Sequence, residues 1–396
     1  MNDLGISSAD NRKLVGTYNP NTYNALDAAV CFIILLVAEF AASRVFIMLF
    51  NSYKEAHETF DFYVVQILSL LVSQSLIFAI GFLFSKIRRV SYLSGGGFTF
   101  KFDIVNILFA MLLTLGLYLL LSGVHLQFAD DTYRIFYDVD YETYAERYEE
   151  YVLEHTDENN TLFAFIYVFV LVPIVPAIVE EGLFRGVIMR GLKQFGTVFA
   201  IVVSSLAFAL MHGNLQQLVL QFFFGLLASS LVILTKNYLL GVVMHLTNNL
   251  MSTILAALSE FAEYVSTGTV AAAVIDAVFI MIGVAFMTVS VIYFINLLLS
   301  KNKRKVLGQG DKTDYYDEKK YAVIVTDKLD ESGEPILEKI VWNGVDAGQF
   351  TYAGAVCYVK NKKIKLNKPS NATLSKILIF ISLGLAVALI FIDMFI

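Results

Sequence analysis

Charge is scarce in this sequence. Of 396 residues only 16% are charged, while 57% are hydrophobic and 14% aromatic, a balance that excludes an ordinary soluble globular domain. Cysteine is rarer still. Cys31 lies in the first apolar run and Cys357 in a polar tail, which speaks against a disulfide framework or a thiolate metal site and leaves two structural thiols. Proline occurs five times, and Pro173 and Pro176 fall together just before a pair of glutamates. The first 27 residues are polar, and no short apolar stretch with a small-residue cleavage pattern follows them. No removable signal peptide is therefore expected, and the first span doubles as the targeting signal.

What the chain has in abundance is long apolar runs. A hydrocarbon core about 30 Å thick needs roughly 20 apolar residues per helix. Such stretches run near 28–50, 61–84, 103–124, 161–193, 197–212, 215–235, 238–258, 270–299 and 374–395. Cationic residues cluster at Arg12 and Lys13, at Lys86, Arg88, Arg89 and Lys101, at Arg190 and Lys193, at Lys236, and at Lys301, Lys303, Arg304 and Lys305. Every second connection is thus basic, which places those connections and the amino terminus in the cytoplasm by the positive-inside rule. The expected fold is an all-α polytopic membrane protein of about nine transmembrane helices, with a small cytoplasmic β-rich insertion before the last helix.

The chain divides accordingly: a polar tail over 1–27, three membrane helices with an acidic external loop over 28–160, a helical core over 161–258, a further membrane helix over 259–300, a soluble module over 301–372 and a final helix over 373–396. The loop at 125–160 is acidic and tyrosine-rich and reads as an external cap. His125 and His155 lie in it without ligand spacing. Within 301–372 the runs YAVIV, PILEKIVWN and AVCYVKNKKIKL alternate with turn-like segments and suggest strands. No phosphate loop, zinc cluster or nucleic-acid pattern occurs there, so a packing or docking role is expected and a nucleic-acid partner is not. Gly225, Ala228, Ser229 and Ser230 supply small residues for close helix packing, and most of the 33 phenylalanines are expected to face lipid.

The chemistry concentrates in VPIVPAIVEEGLFRGVIMRG, residues 172–191. The two prolines should break or kink the helix. Counting inward from Arg190 and Lys193, Glu180 lies roughly 15 to 20 Å deep at about 1.5 Å per residue. An ionised group at that depth must face the bundle interior and have a partner. Glu181 and Arg185 stand at i and i+4, acid toward the amino end, the favourable order for an ion pair. Glu180 is turned about 100° away and can play a different role. In FALMH, residues 208–212, Phe208 and His212 share a helical face, as do His245 and Asn249 in HLTNN, residues 245–249. Glu180, Glu181, Arg185, His212, His245 and Asn249, at similar depth on nearby helices, form a polar set in an otherwise apolar protein.

In order and embedding, EEGLFR, FALMH and HLTNN resemble the EExxxR, FxxxH and HxxxN motifs of the CPBP family, the CAAX-processing and bacteriocin-processing intramembrane proteases. The resemblance covers roughly residues 160–258. It implies that Glu180 is a general base activating water with help from His212, that Glu181 and Arg185 brace the site, and that His245 and Asn249 stabilise the oxyanion. Asn248 stands beside Asn249 as a competitor for that role. There is no HExxH. Zinc held by Glu180, His212 and His245, as the family's frequent description as metalloproteases implies, and a metal-free glutamate mechanism draw on the same residues, and both stay open.

The leading expectation is an intramembrane endopeptidase acting on a hydrophobic or lipid-anchored peptide, surrounded by membrane lipid, in a prokaryotic plasma membrane. A proton-coupled transporter is the alternative from another class, and it predicts inverted repeats with matched broken helices; the break at Pro173 has no evident counterpart. A peptide-binding immunity protein that keeps the fold without catalysis is the third.

Overall fold

In lipid a backbone must satisfy its own hydrogen bonds, and long apolar runs poor in proline do so as helices. The computed structural model describes residues 13–14, 23–56, 62–88, 92, 102–137, 139–154, 161–235, 237–265, 269–306, 322–329, 335–340, 351–352, 355–356 and 371–395. These residues are almost entirely helical. The helices are α1 (Ala25–Ala56), α2 (Phe62–Arg88), α3 (Ile104–Tyr137), α4 (Tyr141–Glu154), α5 (Thr161–Phe165), α6 (Val172–Glu181), α7 (Met189–Leu192), α8 (Thr197–Met211), α9 (Leu215–Thr235), α10 (Tyr238–Val265), α11 (Thr269–Val306) and α12 (Ala372–Phe395).

Among the described residues, seven segments are long and apolar enough to cross a membrane: Ala25–Lys54, Phe62–Arg88, Ile104–Leu121, Leu162–Phe195, Gln217–Thr235, Ala277–Ser300 and Ala372–Ile392. The protein is an integral, multi-pass membrane protein. The two remaining expected spans are helices of a different kind. α8 has 15 residues, about 22 Å at 1.5 Å per residue and short of the hydrocarbon thickness. α10 interrupts its apolar character with His245, Thr247, Asn248 and Asn249.

Helix starts are fixed by local side chains. Asn24 and Asp27 cap α1 reciprocally, with each backbone N–H donating to the other's side chain at 2.8 and 3.0 Å. Asp27 also pairs with Arg88 at 2.5 Å, which ties the beginning of α1 to the end of α2. Asp103 accepts the amides of Val105 and Asn106 at the head of α3. Past the expected span at 103–124, α3 continues to Tyr137, so part of the segment expected to be an external loop is an extension of that helix. Asp140 then caps α4 by accepting the Thr143 amide at 2.8 Å, and hydrogen bonds from the Thr143 side chain and backbone hold its carboxyl below the usual range.

Between 301 and 372 the described residues comprise the end of α11 and four short strands. β1 (Lys13–Leu14), β2 (Ala322–Leu329) and β3 (Pro335–Ile340) pair antiparallel in that order, and β4 (Thr351–Tyr352) pairs with β5 (Ala355–Val356). The greater part of the expected module, like most of the polar tail and part of the acidic loop, lies outside the described residues.

The prolines do not break the helix. From Thr161 to Leu192 the backbone stays helical, with π-type register over Ile166–Leu171 and Gly182–Ile188 on either side of α6. Pro173 sits in the first turn of α6, and turns of π register flank that helix on both sides. From Glu180 to Leu192 every residue is buried. α1, α2, α8 and α10 pack around this region, so its charges face protein instead of lipid.

Close contacts between helices rest on small residues. A Cβ on Gly225 would lie 2.9 Å from the Ser205 Cβ, which lets α9 meet α8. A Cβ on Gly116 of α3 or on Gly283 of α11 would likewise lie within about 3 Å of the other helix's backbone.

Candidate active site

The acidic pair divides its contacts between two directions. Glu181 Oε1 pairs with Arg185 Nη1 at 2.6 Å and accepts from His245 Nδ1 at 3.1 Å. Glu181 is wholly buried, and Arg185 and His245 nearly so. A carboxylate can only accept, so the hydrogen on His245 lies at Nδ1 and its Nε2 points onward. That Nε2 is 3.9 Å from Glu180 Oε2, too far for a direct hydrogen bond and close enough for both atoms to contact one small molecule. Glu180 Oε2 and Glu181 Oε2 have no hydrogen-bond partner among the described residues.

Arg185 lies in an aromatic box. Its guanidinium carbon stands 4.6 Å over the Phe208 ring and 5.7 Å over the Phe224 ring, and Phe184 meets Phe208 edge to face at 5.2 Å. These faces supply cation–π attraction that water would otherwise replace with hydration. Most phenylalanines were expected to face lipid; Phe208 and Phe224 instead wall the charged pair, with Phe184 against Phe208, and all three are fully buried.

Phe208 also joins the two histidines. The His212 ring packs against it at 4.9 Å and the His245 ring at 5.5 Å, both nearly perpendicular. His212 follows the last residue of α8, where Nδ1 donates to the Phe208 carbonyl oxygen at 2.8 Å. Its Nε2 is therefore left as an acceptor, and the ring lies within electrostatic reach of Glu180, Arg185 and His245. Gly213, with φ of 67°, turns the chain immediately afterward into α9.

Asn249 and Pro176 are coupled. Proline at position 176 has no N–H to give to the carbonyl four residues back, at Val172. Asn249 Nδ2 fills that role from α10, donating to Val172 O at 3.2 Å. One of the two amide hydrogens is thus anchored and the second remains free to point elsewhere. Asn248 Nδ2 in turn donates to Asn249 Oδ1 at 3.5 Å, while Asn248 Oδ1 is buried without a partner.

Of the six expected residues, Glu180, Glu181, Arg185 and His245 form one connected cluster. His212 adjoins it across Phe208, and Asn249 holds the helix that carries the glutamates. Among the described residues no group of three His, Cys, Asp or Glu side chains is gathered to hold a metal ion, and Glu180, His212 and His245 are not such a group.

Three contributors were not expected from the sequence. Gln74 of α2 donates to Glu180 Oε1 at 2.8 Å; a polar residue within an apolar span was its only signal. Tyr92, from the connection after α2, donates to the Val179 carbonyl at 3.3 Å, and burial, with Cys31 beside it, raises the affinity of its hydroxyl for the proton that it donates. Gly241 of α10 faces Glu181: a Cβ there would lie 2.8 Å from Glu181 Oε2 and 2.8 Å from Val232 Cγ2. Gly241→Ala is expected to destabilise the protein by about 1–3 kcal/mol through overpacking and to displace the carboxylate. Thermal unfolding of purified protein in detergent, with a turnover assay beside it, measures both effects.

The comparisons with known proteins bear on this same segment. Residues 161–251 match the family model described as type II CAAX prenyl endopeptidase Rce1-like, a stretch that includes all six motif positions. Neither the curated proteins nor the solved structures contain a significant match.

Proposed function

We propose that this protein, whose segment 161–251 belongs to the CPBP family of CAAX-type intramembrane proteases, hydrolyses a peptide bond in a hydrophobic or lipid-anchored substrate within the membrane. The observation that carries the reading is the buried, unpartnered Glu180 Oε2 facing His245 Nε2 across 3.9 Å, with Glu181 binding both Arg185 and that histidine.

In the proposed mechanism Glu180 removes a proton from a water molecule, helped by the free Nε2 of His212, and the resulting hydroxide attacks the scissile carbonyl. Negative charge develops on the carbonyl oxygen. His245, as imidazolium with Nδ1 on Glu181, presents Nε2–H to that oxygen, and the second amide hydrogen of Asn249 meets it as well. Glu180 then returns the proton to the leaving amine. Charge balance supports this assignment. Before the step, Glu180 and Glu181 offset Arg185 and the imidazolium; after it, Glu180 is neutral and the oxyanion takes its place. The buried site stays neutral throughout, which a low-dielectric interior favours strongly.

No step passes through a metal, since the donors Glu180, His212 and His245 do not form an ion-binding group. The proposal extends to a nine-helix arrangement in which α8 and α10 join the seven long spans, to a β-rich cytoplasmic module over 301–372, and to a prokaryotic plasma membrane as the location. The substrate is a membrane-associated peptide, prenylated or otherwise apolar, and no nucleic acid is involved.

The two asparagines give separate expectations. Asn249→Ala removes an oxyanion donor, which typically costs roughly 10²- to 10³-fold in turnover, and strands the Val172 carbonyl at about 1–3 kcal/mol. Asn248→Ala touches only the 3.5 Å support and is expected to lower turnover less than about tenfold. Parallel rate and unfolding measurements on the two variants check the ordering. The reading as a whole is tested by mass spectrometry of membrane peptides from cells making wild-type protein or Glu180→Ala. Uncut precursors should accumulate only with the variant, and identical peptide profiles would contradict it.

A further inference from the structure

Gln74 is buried on α2, outside the segment that matches the protease family, and it makes the only side-chain hydrogen bond to Glu180 among the described residues. Its Nε2 donates to Glu180 Oε1 at 2.8 Å, while its own Oε1 is buried without a partner. A leucine of similar volume would satisfy packing in an apolar span without leaving an acceptor stranded, so packing alone does not account for the amide.

Its geometric effect is specific. With Oε1 anchored, the Glu180 carboxylate cannot rotate about its terminal bond, and Oε2 is held on the side of His245 Nε2. A second carboxylate, Glu39 of α1, lies close enough to interact electrostatically with Glu180.

Resting on the protease reading, we infer that Gln74 is a positioning residue for the catalytic base, which makes the amino-terminal helices part of the active site. The titratable and charged groups facing Glu180 are Glu181 on its own helix, Arg185 in the turn that follows, His212 after α8, His245 of α10 and Glu39 of α1.

The test uses full-length protein in phospholipid vesicles and two independent readouts. The first is the difference infrared spectrum between wild-type protein and Glu180→Gln, repeated in a Gln74→Leu background, where the Glu180 carboxylate stretch should shift. The second is kinetics on whichever quenched peptide, from a panel of prenylated and unprenylated apolar peptides, the wild type cleaves best. Gln74→Leu should lower kcat roughly 10- to 100-fold with KM unchanged and unfolding temperature maintained, as expected of a misplaced reacting group. Gln74→Glu supplies a carboxyl that donates only when protonated, so its activity should recover on acidification while Gln74→Leu stays slow at every pH. A shifted band in a wild type that cleaves no peptide supports the contact and counts against the protease reading. An unshifted band, wild-type turnover in Gln74→Leu, or one pH dependence shared by the two variants overturns the inference.

Discussion

Arg185→Leu is expected to destabilise the protein by about 3–5 kcal/mol, the usual consequence of removing one partner from a buried ion pair. The guanidinium is a fixed positive charge against Glu181, at 2.6 Å, and neither side chain has access to solvent. Without it the carboxylate is left between aromatic rings with only His245 Nδ1 as a donor, and the Phe208 and Phe224 faces lose the cation they enclose. Unfolding temperature in detergent is the readout. A second variant separates stability from chemistry. Glu181→Leu combined with Arg185→Leu removes both charges, which for buried pairs is often neutral or stabilising. The double variant should recover much of the lost stability and none of the cleavage. An Arg185→Leu protein as stable as wild type would mean that the pair does not brace the site.

Glu180→Gln is expected to lower cleavage by roughly 10²- to 10⁴-fold, the range associated with loss of a general base. The substitution is close to isosteric. The new amide oxygen can still accept from Gln74 and the side chain keeps its size, so folding should be retained. Unfolding within about 1 kcal/mol of wild type would confirm that the loss is chemical. Glu180→Asp offers a finer probe: it keeps the charge and withdraws it by one methylene from both Gln74 and His245. Its activity should fall between those of wild type and Glu180→Gln, since misplacement by about 1 Å can cost as much as 10²-fold.

The sequence was most informative where spacing and chemistry are local. The Glu181–Arg185 pair follows from i and i+4 spacing, and it forms even though the intervening turn has π register. The membrane character and the positions of seven spans follow from runs of apolar residues that only a helix can carry through lipid. Other features depend on contacts between distant segments and left weak traces. Pro176 announces an orphaned carbonyl at Val172, but not that Asn249, 77 positions further on, would satisfy it and so let the helix continue. Gln74 lies 106 positions from Glu180, on a helix beyond the reach of the motif pattern. Nothing local in the sequence sets Phe224 and Gly241 apart until α9 and α10 bring them against Arg185 and Glu181. α8 was counted with the full spans because its composition is uniformly apolar, and only its 15-residue length sets it apart.

The account stands on Glu180 as the group that activates water. Its most direct test incubates purified protein in vesicles with membrane-anchored peptides in ¹⁸O-labelled water and analyses the products by mass spectrometry. Wild-type protein should generate a new carboxyl terminus carrying the label, and Glu180→Gln should generate almost none. Labelled product formed equally by both proteins, or no cleavage by the wild type, would contradict it.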